Sequence, residues 1–275
     1  MNRRGPTVKY AAPAAGKAFE ILHLLGDHNS GLTVSEMSIA LGRSVGELYR
    51  IVVDMERQGF LKKSTVNDRY SVTYKLLEMI LRATPAQNLV QAAVPEMQSL
   101  TRDIEQSCHL AVENGPRGLI VAREEGPGTR GFALRVGGSI DLLSSCSGQV
   151  IIAFSKPEAA EHIIEHAQPD RERPVDMAAF EKQLKRVRKQ GYNLRKSPIT
   201  FGVTDISYPL FGFTGEIVGA LTIPFLALVD GSQKVDLNAA RERLDVAAKR
   251  ISDQLGFLDP SLQIEAAPSG NNQEG

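Results

Sequence analysis

Two short helical segments separated by one glycine turn, residues 33–58, constrain this 275-residue chain more than any other feature. Thr33 is followed three residues on by Glu36, and Ser44 by Glu47. That spacing is a capping box, in which a hydroxyl and a carboxylate satisfy orphan backbone N–H groups at a helix start. Val34, Met37 and Leu41 give the first segment an apolar face, while Leu48, Ile51, Val52 and Met55 fall at i, i+3, i+4 and i+7 in the second. Gly42 and Gly59 end them. Upstream, Ala18, Ile21, Leu22 and Leu25 predict another helix. Downstream, Phe60 and Leu61 begin a strand, Asn67-Asp68 signals a turn, and Tyr70, Val72 and Tyr74 alternate as in a second strand. Three helices with a tight turn before the third, then a hairpin, make a helix-turn-helix with a wing. In that plan the third helix enters the major groove of DNA.

With its apolar face committed to packing, the third helix turns Val45, Gly46, Glu47, Tyr49, Arg50 and Val53 outward. Arg50 is the strongest base or phosphate contact, because its planar fork matches guanine O6/N7. Tyr49 can donate to a phosphate or pack on a thymine methyl. Glu47 reads as a helix cap before it reads as a partner of cytosine. Thr33 and Ser35 open the second helix, Arg43 and Ser44 form the turn, and Lys62, Lys63 and Arg69 flank the wing. With Glu47, Tyr49 and Arg50 they complete the candidate DNA-contact set. The wing cations would bind phosphate, a salt-dependent term.

Net charge is zero, but its distribution is uneven. The first 85 residues hold twelve Lys and Arg against eight Asp and Glu, leaving twenty against twenty-four in the remainder. A basic N-terminal part and an acidic C-terminal part suit a DNA-binding module joined to a sensor. Two cysteines, Cys108 and Cys146, fit a reduced cytoplasmic protein rather than a disulfide scaffold. No apolar run reaches the roughly 18 residues of a membrane span, and the N-terminus lacks the apolar core of a signal peptide. The expected organisation is a mobile segment 1–15, a winged helix-turn-helix 16–80, a linker-helix region 81–105, an effector-binding domain 106–258 and a disordered tail 259–275.

Past Pro85 a helix is expected over 89–105. CHLAVENG and RGLIVAREE read as a hairpin about Asn114-Gly115-Pro116, and FALRVGG as a third strand. Helices follow over 146–154, 157–167 and 176–190; YNLRKS, VTDISYPLF and IVGALTIPF are strands; a last helix spans 236–255. Hairpin-linked strands with flanking helices imply an α+β domain around a largely antiparallel sheet.

The run GLTVSEMSIALGRSVGELYRIVVDMERQGFLKK and the later blocks LRVGGSIDLLSSCSGQVIIAF, RVRKQGYNL, FGVTDISYPLF and GEIVGALTIP together resemble, in order and spacing, the isocitrate-lyase-regulator (IclR) family of transcription factors. The resemblance covers residues 16–256. It implies a GAF-like effector-binding domain, a linker helix, homodimers or homotetramers and partly palindromic double-stranded operator DNA, with no cofactor, metal or membrane partner. Gly46 and Glu47 stand where the family usually has Ser-Thr, whereas Arg50 matches.

SSCSG precedes a helix, and small residues there expose backbone N–H groups suited to a carboxylate; the alternative is an ordinary N-cap. The resemblance places effector contacts at Ser145, Cys146, Ser147 and Gly148, with Leu142 just before. It carries three further pocket positions onto Arg195, Asp205 and the pair Thr222 and Pro224. The expected effector is a small organic acid, aromatic acids included. Arg195 and the helix end would receive it, and Asp205 or Thr222 would hold a second polar group. The alternative is that Arg195 and Asp205 simply pair. Cys146 is either a thiol made acidic by the helix end or a small buried residue.

Two competing functions stay open. His162-x-x-Glu165-His166 has the spacing of an inverted zinc-hydrolase motif, which needs a third ligand and an open coordination position. A DNA-binding scaffold without ligand is the other.

Overall fold

The structure is a computed structural model that describes residues 12–82, 84–127, 132, 134–167 and 175–258. The expected disordered tail and residues 1–11 of the expected mobile segment lie outside the described residues. The chain divides into two compact units, Met1–Thr84 and Pro85–Gly275.

In the first unit, α1 (Pro13–Gly26), α2 (Val34–Leu41) and α3 (Val45–Arg57) are followed by β1 (Leu61–Lys63), β2 (Tyr70–Val72) and α4 (Lys75–Arg82). Pro13 opens α1, three residues ahead of the expected boundary, since proline at a first helical turn loses no hydrogen bond. Thr33 forms its capping box in full: its hydroxyl accepts from the Glu36 N–H and the Glu36 carboxylate accepts from the Thr33 N–H at 2.8 Å. Gly42 caps α2 in the left-handed region. Ser44 accepts from the Glu47 N–H, but the Glu47 carboxylate does not return the bond. It ion-pairs with Lys17 and Arg43 instead. Ile21, Leu25, Met37, Leu48, Val52, Met55, Leu61 and Tyr70 form the core. β1 and β2 pair antiparallel, and Tyr70 bridges to Leu32, tying the wing to the helices. Tyr74, expected in the second strand, lies beyond it and is exposed. The α4 helix was not expected: Tyr70-x-Val72-x-Tyr74 favours a strand reading that Thr73, bonded to Gly59 O, ends early.

The second unit starts with α5 (Thr84–Ile104), then β3 (Cys108–Asn114), β4 (Arg117–Glu124), β5 (Ser139–Ile140), α6 (Cys146–Phe154), α7 (Pro157–His166), α8 (Met177–Gln190), β6 (Asn193–Lys196), β7 (Val203–Phe211), β8 (Ile217–Leu226) and α9 (Leu237–Gln254). All six strands pair antiparallel in the order β5-β4-β3-β8-β7-β6. The third expected strand is displaced: Phe132 and residues 134–138 are not strand, and β5 pairs with β4 through Ser139 and Ile140.

Strand alternation sorts the sheet into two faces. Cys108, Leu110, Ile206, Tyr208, Leu221, Ile223 and Phe225 pack under α5 and α9, joined by Leu89, Ala93, Met97, Leu100 and Ile104. The alternate residues His109, Thr222, Ser207 and Asn193 form one cross-strand row on the opposite face, where α6 lies. Thr222 donates to Ser207 at 2.8 Å, and the Asn193 side-chain amide donates to Cys146 O and to Gln149 Oε1. The sheet therefore buries a polar row against a helix whose residues Cys146 to Ala153 are all buried.

Candidate functional site

The loop entering α6 is fixed by its own backbone chemistry. The Asp141 carboxylate accepts from the Leu143 N–H at 2.9 Å and the Ser144 N–H at 2.7 Å. Ser145 is the N-cap; its hydroxyl donates to Asp141 O and accepts from the Gly148 N–H. A Cβ at position 148 would stand 2.3 Å from Leu142 O, so only glycine allows this approach. The N–H groups of Cys146 and Ser147 donate to no acceptor among the described residues.

Cys146 and Ser147 lie at a cavity of about 200 Å³ between the sheet and the start of α6. Ser145, Cys146, Ser147, Asp205, Thr222 and Pro224 line it, which brings together six of the nine expected effector residues. The other three lie elsewhere. Leu142 is buried in the core with α6 and α8. Gly148 serves the close approach just described. Arg195 sits opposite Asp205 in the β6–β7 ladder, but lines a neighbouring groove with Asp176 and Gln183 at α8. Among the described residues Arg195 and Asp205 form no ion pair, so simple pairing is not what the structure shows.

Two lining residues were missed, His109 and Arg117. Among the described residues, His109 Nδ1 and Arg117 Nε are buried with no hydrogen-bond partner. Both line this one cavity. His109 occupies the polar parity of a strand whose neighbours Cys108 and Leu110 face the core, a signal that was available in the sequence. Arg117 follows a turn and read as a solvated charge.

The electrostatics follow from burial. His109 is 4% exposed, and desolvation pushes its pKa down to about 4, so the ring is neutral near pH 7. Asp205 is pushed up to about 6, mainly by burial; a hydrogen bond from Ser197 and the charge of Arg195 act in the opposite sense. Burial also raises the Cys146 thiol, with the Asp205 charge adding and Arg195 opposing. Its Sγ faces Asn193 O at 3.6 Å and Asp205 O at 3.5 Å. Cys146 is thus a buried neutral thiol, the second of its two expected readings.

On the first unit, Val45, Tyr49, Arg50 and Val53 are exposed along α3, with Gly46 beside them. Ser35, Ser44, Lys62 and Lys63 are exposed too. Several of the expected DNA contacts are held by protein partners. Arg43 grips Glu20 with two bonds of 2.8 and 2.9 Å. Arg69 donates to Glu36 and to Gly31 O, both at 2.7 Å. Thr33 is spent in its cap. Lys63 pairs with Asp68 at 2.8 Å and lies over the Tyr70 ring. Arg50 and Lys62 have no ion-pair partner among the described residues.

The zinc motif gains nothing from the fold. His162 and His166 stack at 4.2 Å on α7, and the described residues hold no group of three or more side chains able to bind a metal. No described helix is long and apolar enough to cross a membrane.

A winged helix-turn-helix followed by a helix-flanked antiparallel α+β domain is the two-part architecture of a DNA-binding transcriptional regulator. Comparison with known proteins agrees. Residues 14–65 match the IclR helix-turn-helix domain, and residues 81–253 match the domain described as bacterial transcriptional regulator IclR C-terminal. The chain belongs to the IclR family of DNA-binding transcriptional regulators. It is 26% identical over 246 residues to the HTH-type transcriptional regulator KdgR of Escherichia coli, covering 88% of this chain and 92% of that protein. It is 24% identical to XynR of the same organism, covering 88% and 96%. The fold matches the crystal structure of Thermotoga maritima IclR with a TM-score of 0.66 at 24% identity, covering 88% and 98%. It also matches an IclR homologue from Microbacterium hydrocarbonoxydans complexed with 4-hydroxybenzoate, with a TM-score of 0.74 at 22% identity over 88% and 98%.

Proposed function

We propose that this regulator senses a small organic acid in the cavity between its sheet and α6, and does no chemistry on it. One observation carries the reading: the two orphaned buried nitrogens of the described residues, on His109 and Arg117, line the same cavity as the unpaired N–H groups of Cys146 and Ser147. Native proteins rarely leave buried polar groups unsatisfied, so such a cluster is a binding site for a polar ligand. The helix N-terminus and Arg117 favour an anion. A cavity of about 150 Å³ holds benzene, so about 200 Å³ suits a single-ring or short-chain acid. The 4-hydroxybenzoate complex of the structural relative supports the same class. Arg117, rather than Arg195, is the cation of this site.

The DNA-reading set is Arg50 and Tyr49 on α3, with Ser35, Ser44 and Lys62 as phosphate contacts. Glu47, Arg43, Arg69, Thr33 and Lys63 hold the module in shape. A homodimer or homotetramer on a two-half-site operator is expected, and sedimentation checks it. The deciding experiment pairs a gel shift on the chain's own upstream region with a thermal-shift screen of benzoate, 4-hydroxybenzoate, pyruvate and lactate. At least one acid should raise Tm and change the shift, and Arg117→Met should lose both responses while still binding DNA. An Arg117→Met protein that responds as wild type does would sink the site.

A further inference from the structure

An anion site that also contains a carboxylate poses a problem, and Asp205 is that carboxylate. It is 9% exposed, on β7 between Arg195 of β6 and Pro224 of β8. From β6 it faces Arg195, which forms no ion pair with it; from the following segment, the Ser197 hydroxyl; from α6, the Cys146 thiol; from β8, Thr222. Across the cavity lie His109 of β3, Arg117 of β4 and Asp141 of the α6 entry loop. In so small a space a bound carboxylate comes to within roughly 6 Å of Asp205. At an effective dielectric of about 20, two negative charges at that distance would weaken binding roughly 100-fold.

We propose that Asp205 takes up a proton as the acid enters, so that the effector is bound together with one proton and binds more tightly as pH falls. This rests on the acid-site reading above. The acid arrives ionised, the proton comes from bulk water, and the pair in the cavity carries one negative charge instead of two. The protonated Asp205 then becomes a donor toward the ligand or Thr222. The elevated pKa of about 6 caused by burial leaves Asp205 ionised at pH 7.5 in the empty site, yet close enough to neutrality for one nearby anion to protonate it.

The test is calorimetry on the full chain at pH 7.5, with whichever of benzoate, 4-hydroxybenzoate, pyruvate and lactate gives the largest thermal shift, in PIPES, HEPES and Tris. Their different ionisation heats report proton exchange. The expected result is uptake approaching one proton per site, and affinity rising up to about tenfold for each pH unit lowered from 8 towards 6.5. Asp205→Asn should abolish the uptake, flatten the pH dependence and tighten binding at pH 8 by about 10- to 100-fold. His109 is the other group an anion could protonate. Uptake that survives in Asp205→Asn and disappears in His109→Gln overturns the assignment. So does binding without uptake in the wild type, or an Asp205→Asn protein that binds more weakly, which would make Asp205 an acceptor for a ligand hydroxyl. If Asp205→Asn fails to fold, Ser197→Ala replaces it. Losing that hydrogen bond leaves Asp205 protonated to higher pH, and the uptake at pH 6.5 must shrink. If none of the four acids binds, the acid-site reading itself fails, an outcome distinct from binding without uptake.

Discussion

The two units treat their polar side chains in opposite ways. In the winged helix-turn-helix, five of the ten candidate DNA contacts are satisfied inside the protein: Arg43 by Glu20, Arg69 by Glu36 and Gly31, Glu47 by Lys17 and Arg43, Thr33 by Glu36, and Lys63 by Asp68. In the sensor the cavity holds His109 Nδ1 and Arg117 Nε buried, with no hydrogen-bond partner among the described residues. The first arrangement presents a rigid reading surface with few free groups. The second stores unsatisfied hydrogen bonds that a ligand can complete. Pre-organisation lowers the cost of binding in both, but only the cavity requires an occupant to become fully satisfied.

The largest expected effect lies at the support of the sensor site. Gly148→Ala places a methyl 2.3 Å from Leu142 O, a backbone atom that cannot move without breaking the Asp141 loop. Stability should fall by on the order of 3 kcal/mol, and the acid response should vanish with it. Chemical denaturation of the second unit's transition, read beside that of the first, breaks the comparison if both shift equally or neither does.

Next come the two titrating groups of the cavity, whose effects oppose. Asp205 rises to about 6 from an ordinary 3.8, so the native state holds extra protons between those values, and stability falls as pH climbs through that window. His109 falls to about 4 from 6.5, so the unfolded state holds extra protons there, and stability falls as pH drops through that window. Each is worth up to about 3 kcal/mol, and in the wild type they nearly cancel between pH 4 and 6.5. Asp205→Asn should therefore stabilise the protein above pH 6 and leave stability rising with pH from 4 to 6.5. His109→Gln should leave it falling. Thermal denaturation across pH 4.5–7.5 reads both slopes.

On the DNA side, Arg50→Ala should cost about 1–3 kcal/mol in operator affinity and relax specificity at one base pair. Lys62→Ala should weaken binding uniformly and reduce the salt slope by about one ion. Fluorescence anisotropy at several salt concentrations separates the two. Equal losses on specific and random DNA for Arg50→Ala would make it a phosphate contact.

Much of this was legible because local chemistry wrote it down. The Thr33 capping box, the α3 stripe and the SSCSG helix start are short-range signals, and Ser145, Cys146, Ser147, Asp205, Thr222 and Pro224 do converge on one cavity. What failed depended on sheet geometry. Arg195 and Asp205 are cross-strand neighbours on one face, yet Arg195 lines a separate groove with Asp176 and Gln183 at α8. Arg117 looks like turn charge until the β4–β5 pairing brings Ser139 and Ile140 beside the following residues and encloses it. β5, only two residues long, carries no alternation to read.

The smallest expected effect tests whether Glu47 belongs to the reading surface or to its scaffold. It sits in the first turn of α3, where a base-reading acidic residue would lie, but its carboxylate is drawn toward Lys17 and Arg43, and the hydrogen bond from Lys17 with the charges of Lys17 and Arg43 holds it below the usual carboxylate range. Solvent-exposed ion pairs of this kind are screened and contribute little to stability. Glu47→Gln should therefore lower Tm only slightly and leave operator sequence preference unchanged. Overall affinity should rise modestly, because Lys17 is freed for phosphate and one repulsive charge leaves the DNA face. Binding-site selection from a random pool reads the preference directly. A changed base at one position with Glu47→Gln would move this residue from scaffold to reader, and the contrast between a satisfied DNA unit and an unsatisfied sensor would lose one of its five examples.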